Sequence, residues 1–363
     1  MTRLRQSMRL TDVLGEARRN LQSGVGRSSI LVVLLVGLAV VTVLVPQLAL
    51  THANARAMAF QDSGAATLIV QAEGSVDGAQ CETFGALPNV TAAGAVREQR
   101  EGARLSLLPS TTVRYFEASP QFAAVLNATQ TGAGVLLSDE VADATGWNPG
   151  DALLIDGHGR TPAAGTFSYP DDGRVAGFAF SLIGEVPATL DLFDECWITI
   201  WPQNQEIESL ASIVVDSDDA ATSTTGPTLI QANSSLGARF TAENEEMIWN
   251  YAGVAGAFLA AATMIFHIRG RRLELASAQH VGVRRADQFA IMISETILIS
   301  LAALIVISPA AVYLSSVIPS IADSLGWHAV RGASMFLAGT TAGTVIGLLG
   351  IRERHLFRYF RER

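Results

Sequence analysis

The stretch that decides the fold runs from Arg269 to Glu295 and reads RGRRLELASAQHVGVRRADQFAIMISE. It holds five arginines and lies between two apolar runs that are each long enough to cross a bilayer. Positively charged residues in short connecting loops collect on the cytoplasmic side of a membrane, so this stretch is expected to face the cytoplasm. The remaining segments can be oriented from it.

The composition of the 363-residue chain is typical of a membrane protein, with 49% apolar and 16% charged residues. The net charge of -9 conceals two kinds of segment. Three segments expected at the cytoplasmic face together hold 16 arginines and 6 acidic residues, whereas residues 50–246 hold 8 arginines and 26 acidic residues. This asymmetry predicts that the large acidic segment is extracytoplasmic.

Four apolar runs therefore divide the chain. The predicted segments are an amphipathic cytoplasmic N-terminal helix (1–27), a first span (28–49), an extracytoplasmic domain with stalk helices (50–246), a second span (247–267), a cytoplasmic helical loop (268–288), a third span (289–317), an outer loop (318–331), a fourth span (332–351) and a basic cytoplasmic tail (352–363). Two alternatives stay open: residues 1–27 as a flexible basic leader, and the first span as a signal peptide cleaved near Ala55.

The extracytoplasmic segment has the pattern of a mixed α+β domain. Short apolar runs such as 66–71, 90–96 and 152–155 are separated by glycine, proline, aspartate and threonine, which is typical of strands and turns. Residues 138–145 predict a helix that is capped by Ser138. The predicted fold is a membrane protein with four transmembrane α-helices and this large α+β domain between the first and second helices.

Several classes of chemistry are absent from the sequence. All 25 basic residues are arginine, so the lysine of a Walker A phosphate loop and the lysine of a pyridoxal Schiff base are both missing. The histidines are scattered, and no cysteine–histidine cluster has metal-ligand spacing. The sequence predicts no catalytic residues, no cofactor and no metal site in this chain, and no nucleic-acid partner.

The two cysteines, Cys81 and Cys196, both lie in the extracytoplasmic segment. A disulfide is the leading interpretation because the outside of a cell can be oxidising, and two buried thiols are the alternative.

Two sets of motifs resemble a known family. In the central stretch they are Arg271-Arg272-x-Glu274-Leu275, Val281-Gly282-Val283-Arg284-Arg285 and Glu295; in the outer segment they are residues 134–142, Gly150-Asp151 and residues 181–186. The first set resembles FtsX/MacB-type permeases, the membrane subunits of type VII ABC transporters. The second is similar to the MacB-like periplasmic core domain. Gln279 and His280 depart from the family pattern, in which a small residue and a cation are commoner.

The resemblance implies a coupling helix in the loop 268–288 that contacts a cytoplasmic ATPase. Helix spacing puts Leu273, Ala276 and His280 on one face. The residues expected to meet the ATPase are Arg272, Leu273, Glu274, Ala276, His280, Gly282, Arg284 and Arg285. The alternative is a basic loop that only sets topology.

The resemblance also implies the partners and the mechanism. Two permease chains, identical or paralogous, would assemble with an ATPase dimer that binds ATP and Mg²⁺, in the lipid of a bacterial plasma membrane with both termini cytoplasmic. ATP-driven motion would reach the outer domain by mechanotransmission, to export or extract a lipid, lipoprotein, peptide or drug, or to activate an extracytoplasmic partner. The alternative is a membrane-anchored sensor or scaffold that does not transport.

Within the spans, two features need an explanation. Glu295 is expected to be paired with a neighbouring helix, Arg284 or Arg285, because a lone charge in a membrane is costly. An intramembrane proton or substrate site is the alternative. Gly339, Gly343 and Gly347 form a small-residue stripe that allows close helix approach. Contact with a second permease and packing within one subunit fit the stripe equally well.

Overall fold

The computed structural model describes residues 15, 19, 28–148, 150–203, 209–210, 214–215, 227–237, 239–240 and 243–351. The chain divides into two compact units: a helical unit of residues 1–55 and 241–363, and a sheet unit of residues 56–240. The tail predicted over 352–363, and nearly all of the helix predicted over 1–27, lie outside the described residues.

Long helices make up the described part of the helical unit. They are α1 (Ser28–Ala39), a π-helical turn (Val40–Leu44), α2 (Val45–Asp62), α6 (Glu243–Gly270), α7 (Arg272–His280), α8 (Arg285–Val317), a 3₁₀ turn (Pro319–Ile321) and α9 (Ala322–Leu349). Four described stretches are long and apolar enough to cross a bilayer, by length and composition: 30–62, 250–270, 285–317 and 319–349.

One predicted boundary is wrong in its secondary structure. The outer loop expected over 318–331 is helical from Pro319 onward, and α9 begins ten residues before the predicted span. Proline is well tolerated in the first turn of a helix, where its missing N–H has no partner to lose. The polar residues that follow it, such as Asp323, occupy the first turn of α9 and do not break it.

The glycine stripe of α9 packs against a helix of the same chain. A Cβ atom added at Gly343 would lie 2.7 Å from Cα of Ala261, and one at Gly339 would lie 3.0 Å from Cα of Ala257. Both alanines belong to α6, and Gly347 meets Ile268 of the same helix. Of the two interpretations that the sequence left open, the structure has the packing within one subunit.

Hydroxyl groups join α9 to α8 on another side of the helix. Thr296 and Thr344 lie 2.9 Å apart, oxygen to oxygen, and the Ser300 hydroxyl donates to Thr340 over 3.1 Å. All four residues are buried. Each hydroxyl in a dry helix interface needs such a partner, so these pairs fix how α8 and α9 align.

The sheet unit is a mixed α+β structure built on one large sheet. Its described strands are β1 (Thr67–Val76), β2 (Val90–Arg104), β3 (Thr112–Ala118), β4 (Thr129–Gln130), β5 (Val135–Ser138), β6 (Ala152–Ile155), β7 (Gly159–Phe167), β8 (Ser181–Glu185), β9 (Phe193–Ile200) and β10 (Thr228–Gln231). Their order is β10-β1-β9-β2-β3-β8-β5-β7-β4, with β6 paired to β7. The β3–β8 and β5–β7 pairs are parallel and the others are antiparallel.

Three short helices accompany the sheet: α3 (Gly78–Thr83), α4 (Phe122–Val125) and α5 (Asp139–Thr145). The Ser138 hydroxyl accepts a hydrogen bond from the Val141 N–H and caps α5, in agreement with the sequence pattern. On one side of the sheet Phe116, Phe122 and Trp197 are buried in a core. Cys81 of α3 is bonded to Cys196 of β9 in a second core.

An ion pair between β2 and β3 makes the stability of the sheet unit depend on pH. The Arg114 guanidinium donates to Glu98, with Nε 2.7 Å from Oε1, and this bond holds the pKa of the Glu98 carboxyl below its ordinary value. A carboxyl whose pKa falls on folding stabilises the folded state above its unfolded pKa, and that contribution is lost as the pH falls through the folded value.

We expect the Glu98→Gln variant to unfold at a lower temperature than the wild type at about pH 7, because the variant lacks the charged pair. The gap in unfolding temperature should narrow as the pH falls below the ordinary pKa of a glutamate, because the Glu98 carboxyl of the folded wild type is then progressively protonated. Thermal unfolding of the full chain in neutral detergent at several pH values measures the gap. If the difference in unfolding temperature does not change with pH, the contribution assigned to the Arg114–Glu98 ion pair is contradicted.

Candidate functional site

The candidate site is the segment from Arg271 to Glu295, which leaves α6, forms α7, turns and enters α8. Gly270 ends α6, and Glu274 lies in the first turn of α7, where a negative charge matches the helix dipole. His280 lies in the last turn. Gly282 has a φ of 106°, which side-chain-bearing residues rarely adopt. The glycine therefore lets the chain turn from α7 into α8.

Arg271 is the centre of a buried ionic cluster. Its Nη1 atom lies 3.0 and 3.2 Å from the two carboxylate oxygens of Glu295, and its Nε and Nη2 atoms lie 3.0 and 2.8 Å from those of Glu274. The side chains of Arg271 and Glu295 are 5% and 6% exposed. One guanidinium thus holds two carboxylates, one on α7 and one on α8.

A second polar layer also ties α7 to α8. Gln288, which is buried, donates to the Leu275 carbonyl over 2.8 Å and accepts from the Gln279 amide over 2.8 Å. Apolar packing completes the attachment, since Leu275 and Ala276 are buried in a cluster with Met292 of α8. The short helix is therefore fixed to the base of α8 by ionic, amide and apolar contacts together.

The turn after α7 is the accessible part of the segment. Val281 is 86% exposed and Val283 is 37% exposed, and His280 and Arg285 beside them are exposed too. Two exposed valines flanked by cationic side chains form a small apolar surface with a basic rim, which we call the turn patch (residues 280–285). Such a patch suits contact with another protein.

The structure corrects one of the residue assignments made from sequence. Ala276 cannot contact a partner, because it is fully buried against its own chain. For Glu295, the cation that the structure shows is Arg271, which lies at the end of the neighbouring helix α6 and reaches the side of α8 where Glu295 is buried.

The other predicted residues fall in two groups. Leu273 packs partly against the apolar cluster, and Glu274 is held by Arg271 although its side chain is 48% exposed. His280, Gly282, Arg284 and Arg285 belong to the turn patch, and Arg272 is half-buried at the start of α7. Arg271 was not among the predicted site residues. Two signals in the sequence indicate Arg271. It lies three residues before Glu274, at the spacing of a helical ion pair, and Glu295 needs a cation.

No protein-family model matches the sequence, and no curated protein matches it. Among solved structures, the periplasmic region of MacB from Actinobacillus actinomycetemcomitans is similar over 48% of this chain and 92% of that chain, with 9% identity and a TM-score of 0.35. A domain of a putative permease protein from Porphyromonas gingivalis is similar over 46% of this chain and 88% of that chain, with 13% identity and a TM-score of 0.33. At this level of similarity the function has to be argued from the residues themselves.

Proposed function

We propose that the chain is the membrane-spanning permease subunit of an ABC transporter of the FtsX/MacB type. In this proposal a separate cytoplasmic ATPase dimer binds ATP and Mg²⁺ and contacts the turn patch. The permease carries no catalytic residues of its own. A second permease chain, identical or paralogous, completes the assembly in a bacterial plasma membrane, with the sheet unit outside.

The observation that carries the proposal is the attachment of α7 to α8 through Arg271. A coupling element has to pass a displacement to the membrane helices without absorbing it in its own flexibility. Arg271 binds Glu274 and Glu295 through four contacts of 2.8 to 3.2 Å, and its side chain is 5% exposed. The bidentate bond to Glu274 and the buried bond to Glu295 restrict both distance and orientation, so α7 and α8 should move as one body.

The packing of the helical unit supports the transmission of a displacement from α8 to α9 and α6. Hydroxyl pairs join α8 to α9, and the glycine stripe brings α9 against α6 at backbone distance. Close-packed interfaces shift between discrete arrangements instead of deforming gradually. A push on the turn patch would therefore reach α6, α8 and α9 together, and through them the extracytoplasmic domain.

The proposed outcome is mechanical work outside the membrane. The cargo classes that we propose are a lipid, lipoprotein, peptide or drug, with activation of an extracytoplasmic protein as the other form of output. A span made of tightly packed helices favours this kind of mechanism over a wide aqueous channel through the chain.

Affinity purification of the full chain from its native membrane in mild detergent tests the proposal. We expect a P-loop ATPase to be recovered in about equal amount, identified by mass spectrometry and by hydrolysis of added ATP. If no ATP-hydrolysing protein is recovered with the wild-type chain, the permease assignment fails. The chain would then be studied as a membrane-anchored sensor or scaffold.

A further inference from the structure

The sheet unit contains an open cleft of about 550 Å³ that the proposed function does not use. It lies over one face of strands β1, β9, β2 and β3, and part of it is bordered by residues 175–178. A cleft of this size is in the range of sites for small ligands. Its charged and aromatic side chains indicate what kind of ligand would fit.

Two ion pairs in the cleft neutralise themselves. Arg100 lies 3.0 Å from Glu73, and Arg114 binds Glu98 through both carboxylate oxygens. Neither pair leaves a net charge for a ligand. Arg97 also lines the cleft, and Glu117 and Asp191 bind its guanidinium. The charge that a ligand would meet then comes from the acidic groups that remain.

Asp194 and Glu195, next to each other on β9, supply that charge. Glu195 accepts hydrogen bonds of 2.8 Å from the Gln71 amide and from the Trp197 indole N–H. Asp194 accepts from the backbone N–H groups of Gly74 at 2.9 Å and Glu98 at 3.2 Å. All four donors are neutral, and among the described residues neither carboxylate has a salt bridge. The donors fix the two carboxylates in place without cancelling their charge.

Glu195 and Arg114 both border the cleft. The bond to Glu98 raises the pKa of the Arg114 guanidinium, and the field of Glu195 adds to that rise.

Aromatic rings line another part of the cleft. Phe116 and Phe178 are stacked, with ring centroids 4.3 Å apart, and the Arg114 guanidinium lies 5.2 Å from the centroid of Phe116. Both rings are nearly buried, and Arg114 already lies over Phe116, so the aromatic pair contributes apolar wall to the cleft and not a free ring face for a cation. Val175 and Ala176 add apolar wall to the same cleft.

From these observations we infer that the cleft binds an organic cation, namely an ammonium or guanidinium group carried on an apolar body. The cation lies against Asp194 and Glu195, and the apolar body lies against Val175 and Ala176 and the small exposed parts of Phe116 and Phe178. Each carboxylate oxygen that accepts one bond from the protein retains capacity for a second N–H donor. A metal ion fits less well, since the described residues hold no group of three or more metal-ligating side chains. This inference does not depend on the proposed function.

Isothermal titration of the full chain in neutral detergent at low salt tests the inference. The probes are phenethylamine, a primary ammonium on an aromatic body, and 2-phenylethanol, which has a similar body without charge. The variants are Glu195→Gln and Asp194→Asn, which keep the shape of each side chain and remove its charge. Glu140→Gln is the matched control, because Glu140 is exposed on α5 away from the cleft.

We expect phenethylamine to bind the wild type at least about tenfold more tightly than 2-phenylethanol, because a charged hydrogen bond is lost with the alcohol. Each cleft variant should weaken amine binding by about tenfold, and Glu140→Gln should leave it unchanged. High salt should weaken the binding of phenethylamine and leave the binding of 2-phenylethanol nearly unchanged.

Equal binding of amine and alcohol to the wild type would overturn the inference, as would the absence of amine binding. Amine affinity that is unchanged in both cleft variants would overturn it too. Thermal unfolding identifies a variant that has lost its fold. If the variants do not fold, the wild type alone still tests the inference, through its affinity for the amine and the alcohol at low and high salt.

Discussion

Replacing Gly343 by leucine should destabilise the helical unit strongly. The first added atom, Cβ, would lie 2.7 Å from Cα of Ala261 and 2.8 Å from its carbonyl carbon. These are backbone atoms of α6, so no side chain can rotate away and the two helices have to separate. Overpacking of a tight core costs about 1–3 kcal/mol, and the backbone clash puts this site at the upper end. The measurement is tryptophan-monitored thermal unfolding in detergent.

Gly326→Leu is the matched control on the same helix. Gly326 also lies in α9, but a Cβ added there meets no atom within 4 Å. Leucine favours helix over glycine by roughly 0.8 kcal/mol, so this change should leave the unfolding temperature unchanged or raise it slightly. An equal fall in unfolding temperature in Gly343→Leu and Gly326→Leu would mean that Gly343 does not pack against α6.

Replacing Arg271 by methionine should be the other severe change. It leaves Glu295, whose side chain is 6% exposed, without the cation that binds both of its oxygens. Removing one partner of a buried ion pair costs about 3–5 kcal/mol, since the remaining charge stays buried without its cation. Thermal unfolding and the amount of chain recovered from the membrane both measure this loss.

The double variant Arg271→Met, Glu295→Met separates the cost of an orphaned charge from the value of the pair. Both charges are then absent, and a buried pair replaced by apolar groups is often neutral for stability. We expect the double variant to regain most of the stability that the single variant loses. Arg269→Met, an exposed arginine two residues away, should have little effect. A double variant as unstable as the single variant would contradict the pairing of Arg271 with Glu295.

Much of the helical unit follows from the sequence because its signals are strong and local. A run of about 20 apolar residues can satisfy its backbone only as a helix in a bilayer, so the four apolar stretches are visible without a structure. The charge asymmetry around them is equally plain. The polar residues at the beginning of α9 predict a loop there. Polar residues do not exclude a helix, and no proline follows Pro319.

In the sheet unit, the strands with dense apolar runs were the predictable ones. β6 matches the run 152–155, whereas β7 contains glycine, arginine and proline and was not expected. β7 forms because it pairs with β6 on one side and β5 on another, and such nonlocal contacts override local preference.

Helical spacing within the loop 268–288 predicts a helix, which α7 matches, but it does not predict which of its residues are buried. Helical spacing placed Ala276 on the same face as His280, yet that face packs on α8 at Ala276 and is exposed at His280. Spacing along one helix cannot say which neighbouring helix covers it. The pairing of Arg271 with Glu295 spans 24 residues and depends on how α6, α7 and α8 meet.

The most direct test of the account is the recovery of the ATPase with the Val281→Glu variant. Val281 is 86% exposed, so a carboxylate there should not harm the fold but should disrupt an apolar contact with the partner. Leu107→Glu is the control, a similar change at a residue that is 63% exposed in the sheet unit. The account predicts ATP hydrolysis in the material purified with the wild type and with Leu107→Glu, and at least about tenfold less with Val281→Glu. Equal ATP hydrolysis with all three chains would contradict the proposed contact between the turn patch and the ATPase.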